Sequence, residues 1–210
     1  MSDLLKLTQW LSPAFPVGSF AYSHGVEQAI ATGDVSDAAS LSSWLSAILR
    51  YGSGRTDAIL LAEALRGETE LAELADTAEA LCASRERWSE TIDQGRAFLN
   101  TTNALFAGDL PAMAYPVAVG RVSRALDLPA ADIIGVYLHA FTSNIVSCAV
   151  RFIPLGQTEG QRVLGGLHDT IAEVAREAEG AGLEDITNAA IGSDLSAMEH
   201  ERLHTRIFRT

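Results

Sequence analysis

The chain is poor in cysteine, in basic charge and in long apolar runs. Cys82 and Cys148 are the only cysteines among 210 residues, and both sit among apolar neighbours. Two such residues, far apart, read as buried free thiols kept in a reducing compartment. Lys and Arg number 15 against 27 Asp and Glu, a net charge of -12. A surface of that sign is repelled by phosphate backbones and anionic lipid, so neither nucleic acid nor a membrane surface is expected as a partner. No segment approaches the roughly 20 apolar residues that span a bilayer. The first twelve residues lack the basic start and apolar stretch of a secretory signal. Together these features point to a cytoplasmic protein. Period-two alternation is also absent over any useful length, which argues against a sheet.

What is present is helical periodicity. Hydrophobic residues make up 48% of the chain and charged residues only 20%, with a mean hydropathy of +0.13. Such a balance fits either an Ala/Leu-rich helical protein or one that reserves apolar surface for partners. Leu41, Trp44, Leu45, Ile48 and Leu49 form one stripe on a helix started by Ser36-Asp37. Further helices are expected over 23–32, 56–66, 71–83, 85–106 and 116–126. The junction near Ser84 is open to one helix or two. A helix from Ala130 to Val150 is apolar almost all round and reads as the buried centre, with His139 as a core histidine. A long amphipathic helix is expected from Thr158 to Glu179, then a loose acidic segment over 180–195. The sum is one all-α domain, a bundle of about eight to ten helices spanning 1–210. The ends, 1–18 and 191–210, are the parts this core accounts for least.

One pattern suggests catalysis. His200-Glu201-Arg202-Leu203-His204 fits His-Glu-x-x-His, in which two imidazoles one helical turn apart hold zinc and the Glu activates water. A zinc-dependent hydrolase is therefore the competing reading. A transient nickel carrier using His200 and His204 is a weaker one. The position opposes both: the motif follows the loose acidic segment, and only six residues remain downstream to supply a third ligand. Gly52-Ser53-Gly54 lacks the preceding strand of a nucleotide-binding turn, and no Gly-Lys-Ser/Thr loop occurs. No cofactor and no resident metal are expected, and no catalytic residues can be assembled.

Two segments look less like scaffolding. In 11–20, Pro13, Pro16 and Gly18 stiffen an extended apolar loop carrying Phe15 and Phe20. In 151–161, a polar turn containing Arg151 and Gln157 follows the most apolar helix, and polar loops on rigid scaffolds lean towards function.

These segments carry a resemblance to a known family. The run Ser12-Pro13-x-x-Pro16-Val17-Gly18-Ser19-Phe20-x-Tyr22-Ser23-x-Gly25-x-Glu27 resembles the N-terminal signature of the urease accessory proteins of the UreF family. Pro154-Leu155-Gly156-Gln157-Thr158 resembles an internal segment of that family. Arg55-Thr56-Asp57 and Arg85-Glu86 match more weakly. The tail matches at His200, Glu201, Arg206, Phe208 and Arg209. It departs at Leu203 and His204, where the family has Gln and Tyr. Arg151 stands where Lys is common, a change of geometry at constant charge.

The resemblance implies an all-helical, dimeric, non-enzymatic chaperone. It would act with a UreD-type (UreH-type) accessory protein to recruit a UreG-type GTPase and support nickel insertion into apo-urease. It implies partner contacts at Pro13, Phe15, Pro16, Phe20, Tyr22 and Glu27. Further contacts are implied at Arg151, Gln157, His200, Glu201, Arg206, Phe208 and Arg209, with both chain ends ordered by the partner.

Overall fold

The computed structural model describes residues 2–210, all in one helical domain with no strand among them. Helix α1 (Asp3–Trp10) leads through the proline loop to α2 (Val26–Thr32). Then α3 (Ala38–Tyr51) and α4 (Ser53–Arg66) meet almost end to end at Gly52. Asp37 starts α3 as expected, its carboxylate accepting from Ser40 N at 2.8 Å in a capping box. The junction near Ser84 resolves into two helices, α5 (Leu71–Ala80) and α6 (Arg85–Phe106). Ser84 Oγ caps the second by accepting from Arg87 N at 3.1 Å. Pro116 sits in the first turn of α7 (Tyr115–Ser123), where its missing N–H costs nothing.

The helix with the longest unbroken buried run is α4, while the one that follows Pro129 also packs on many neighbours but is buried along one face. From Ala58 to Ala64 every residue of α4 is buried, and α4 packs on α3, α5, α7, α8 and α10. Its contact with α7 is the most extensive in the molecule. Gly120 permits it: a Cβ there would lie 2.5 Å from the Leu61 carbonyl oxygen and 2.8 Å from Ala64 Cβ. Gly120→Ala is therefore expected to cost about 1–3 kcal/mol by overpacking. Urea unfolding should show a lower midpoint at unchanged slope. Gly165→Ala, where a Cβ within α9 meets nothing within 4 Å, should not destabilise and can gain up to about 1 kcal/mol from helix propensity. Equal behaviour of the two variants would contradict the close-approach account.

Helix α8 (Ala130–Ala149) is buried along Ile133, Ile134, Tyr137, Leu138, Ile145 and Val146. Its other face, with Val136, Ala140, Phe141 and Ser143, is only half-buried. His139 lies on that side and is exposed, which corrects its reading as a core residue. An apolar composition all round the helix hid which side faced the core. The expected long helix over 158–179 is two helices, α9 (Gln157–Gly166) and α10 (His168–Glu179). Gly165-Gly166 weakens the helix there, at about 1 kcal/mol per glycine relative to Ala. The break lets α9 lie on α3 and α8 while α10 runs along α8 and α4.

Helix α11 (Ile191–His200) begins inside the acidic segment expected to be loose and continues into the tail. Its buried face is made of Ser193, Ser196, Ala197 and His200, small or polar residues that give no apolar stripe. That face packs on α2, where Gly25, at φ 76°, approaches Ala197 closely enough that a Cβ would lie 3.0 Å from its backbone nitrogen. Neither cysteine is in a disulfide, and burial pushes their thiols up to about 11 (Cys82) and about 12 (Cys148). No helix is long and apolar enough to cross a membrane.

Candidate functional site

The C-terminal tail after α11 lies across the start of α2 and the first turns of α6, over a cluster of buried charges. Phase explains how α6 brings charge inside. Phe98 and Thr102 face the core, and stepping back along the helix from them reaches Gln94, Glu90 and Arg87, all buried.

Glu27 of α2 is the anchor. One carboxylate oxygen accepts from Ile207 N at 2.8 Å, and the other accepts from Phe208 N at 3.0 Å. The second oxygen also lies 3.2 Å from His200 Nε2. The other imidazole nitrogen, Nδ1, lies 2.7 Å from Glu86 Oε2, and Glu86 is also bonded by Arg206. Thr210 Oγ1 donates to Glu90 Oε2 at 2.7 Å, while its carbonyl oxygen accepts from Ser23 N at 2.9 Å and from the Ser23 hydroxyl. Arg209 N donates to the Ala21 carbonyl at 2.8 Å, and its guanidinium stands 5.4 Å over the Tyr22 ring. Phe208 is buried against Phe152, with the Arg151 guanidinium 5.7 Å from its ring. Glu201 Oε1 accepts from Arg85 N at 2.9 Å and Glu86 N at 3.3 Å, placing a negative charge at the N-terminus of α6.

Beneath the tail the charges set one another. Burial opposes ionisation of Glu90, but Arg87 beside it, helped by His24, outweighs burial and holds the carboxyl down at about 2. Burial, then the charge of Arg87, lowers His24 to about 4. Its imidazole is wedged against Phe141, with Nε2 2.6 Å from Ser53 Oγ, on a backbone of φ 58°. Asp57 is raised by burial to about 6, against the pull of Arg87 and of the Tyr137 hydroxyl that donates to it at 2.8 Å. His24, Asp57 and Arg87 also line the floor of a groove of about 600 Å³ between the proline loop and α8.

The residues singled out by resemblance thus fall into two groups. Tyr22, Glu27, His200, Glu201, Arg206, Phe208 and Arg209 meet in the tail cluster. Pro13, Phe20, Arg151 and Gln157 line the groove, all four exposed. Phe15 is buried against Phe98, with ring centroids 5.5 Å apart, and Pro16 faces outward. Both chain ends, expected to need a partner for order, are seated on this chain's own core: Leu7 and Trp10 at one end, Phe208 and Thr210 at the other. Sequence reasoning missed Glu86, Arg87 and Glu90 as site residues. The helical phase set by Phe98 was the available signal.

The zinc reading fails on geometry. Helix α11 ends at His200, and the chain turns through Glu201 and Arg202, so His204 does not follow on the same helical face. Both His200 nitrogens face carboxylates, and the ring is fully buried. The nickel-carrier reading that paired these two histidines loses its shared face for the same reason. Among the described residues no group of three or more His, Cys, Asp or Glu side chains is disposed to hold a metal.

The family model for UreF matches residues 35–168. The chain is 56% identical over 207 residues to the urease accessory protein UreF of Cereibacter sphaeroides (strain ATCC 17025), covering 99% of this chain and 98% of that relative. It is 51% identical over 207 residues to the protein of the same name from Jannaschia sp. (strain CCS1), covering 99% and 94%. With that of Rhodopseudomonas palustris (strain BisA53) it shares 46% identity over 221 aligned positions, covering 99% and 93%. The chain therefore belongs to the UreF family of urease accessory proteins, a family of accessory factors and not of enzymes.

Proposed function

We propose that this protein is a cytoplasmic, homodimeric adaptor of urease maturation. It binds a UreD-type (UreH-type) accessory protein, and with it recruits a UreG-type GTPase and supports nickel insertion into apo-urease. The observation that carries the reading is the outward face of α11. Ile191, Leu195 and Met198 form an exposed apolar stripe at helical spacing, and Ile207 of the tail is 73% exposed. The buried face of the same helix and tail is fixed by Glu27, Glu86 and Glu90, so this apolar surface is held rigid at little entropic cost to a partner. The groove lined by Pro13, Phe20, Arg151 and Gln157 is a second surface, assigned on this reading to the GTPase or urease side.

Leu195→Asp and Met198→Asp test the first surface without touching the buried anchor. Pull-down by the UreD-type protein is expected to fall at least tenfold in each, with an unchanged thermal melt. Deleting 198–210 is a blunter version, because it also removes the buried His200 and Phe208. Undiminished binding by both point variants would refute the assignment. Sedimentation of the purified chain tests the dimer.

A further inference from the structure

We propose that His139 and His168 form a two-imidazole site for a borderline divalent transition-metal cation, with water completing the coordination. The two residues are 29 positions apart in sequence and are brought together by the packing of α8 on α10. His139 lies on the outer side of α8, and His168 is the first residue of α10. Their ring centroids are 5.5 Å apart, with the planes inclined at 48°. Imidazole nitrogens bound to one cation at about 2.0–2.1 Å stand roughly 3 Å from each other, a separation these rings reach by rotation about their side-chain bonds.

Two features favour a ligand pair over a chance contact. The helices beneath are closely packed, so the two Cα positions are fixed in advance. Both side chains are exposed, and neither ring makes a hydrogen bond to another described residue, so no interaction need be broken to turn the nitrogens towards a cation. Imidazole donors select nickel, copper or zinc over magnesium or calcium. Two protein ligands without supporting hydrogen bonds imply an exchangeable site and not a structural one. The inference is independent of the role proposed above for α11 and the tail.

The test is a calorimetric titration of the full chain, free of any affinity tag, with Ni2+ and with Zn2+ at neutral pH. The expected result is one ion per chain with micromolar affinity, no response to Mg2+, and a loss of at least tenfold in both His139→Ala and His168→Ala. His204→Ala, which alters an exposed histidine of the tail, should bind as the parent does. Thermal melts in the absence of metal should coincide for all four proteins, and added Ni2+ should raise the melt of the parent and His204→Ala alone. Equal affinity in the parent and in either His139→Ala or His168→Ala would overturn the proposal, as would no binding by the parent.

Discussion

Replacing Glu27 with alanine is expected to free the C-terminal tail and to destabilise the protein by about 2–4 kcal/mol. The side chain accepts from two consecutive backbone amides, Ile207 and Phe208, and faces His200 Nε2. Removing it leaves two amide donors without an acceptor and His200 with Glu86 alone. The chain can avoid those costs only by lifting the tail into water. It then loses the burial of Phe208, about 1.5–3 kcal/mol for a side chain of that class. The loss is therefore limited by the docking energy of the tail. Hydrogen exchange reads this directly: the Ile207 and Phe208 amides should lose protection while α4 and α8 keep theirs. Glu27→Gln, which keeps one acceptor oxygen but turns an amide donor towards the tail, should fall between. If the Phe208 amide stayed protected in Glu27→Ala, Glu27 would not be the anchor. On the proposed function, the same variant should also bind the UreD-type protein more weakly, because Ile207 is no longer held in place.

Asp57→Asn should convert a flat pH–stability profile into a sloping one. His24 is near 4 in the folded protein against 6.5 for a free imidazole, so the unfolded chain takes up a proton first. That contribution to stability is complete above pH 6.5 and is lost as pH falls to about 4. Asp57 moves the opposite way, to about 6 from 3.8, so the folded protein takes up the proton first and gains relative stability as pH falls through 6. Between pH 6 and about 4.5 the two nearly cancel. Below that, Glu90, held at about 2 against an ordinary 4.5, loses its contribution and the parent destabilises steeply. Asparagine at position 57 still accepts from the Tyr137 hydroxyl but cannot titrate. The variant should therefore lose stability from pH 6.5 downward, by up to roughly 3 kcal/mol at pH 4 given 1.36 kcal/mol per pKa unit. Denaturant midpoints at half-unit steps measure it. Parallel curves for parent and variant would show that His24 and Asp57 do not oppose each other in this way.

Particular elements show how far the sequence could be read. Helix α3 was legible because its start is local, Asp37 capping the backbone within three residues, whereas the start of α6 stayed open although Ser84 caps it in the same way. The gap in α9–α10 was written in Gly165-Gly166 but was outweighed by the amphipathic period running across it. Helix α11 was not legible from apolar spacing, because close packing on α2 calls for Ser and Ala on the buried side and leaves Ile191, Leu195 and Met198 outside. The tail residues were legible only as a resemblance. Of their partners, Glu86 stood only in a weaker match and Glu90 in none, and neither pairing could be read, since each lies more than a hundred residues away in sequence.

By itself the sequence determined the all-helical class, most helix boundaries and the kinship of the chain. Each of these follows from short-range rules or from residues matched in order. Tertiary structure alone decided which charges are buried together. A carboxylate survives inside only where a cation or several donors meet it, and those donors arrive from α2, α6, α11 and the tail. Tertiary structure also placed His24 in the interior and His139 outside it. It turned His200 from one half of an apparent zinc motif into a buried link between two glutamates. Helical spacing can bring two histidines to one face only while the helix continues, and this one ends at His200.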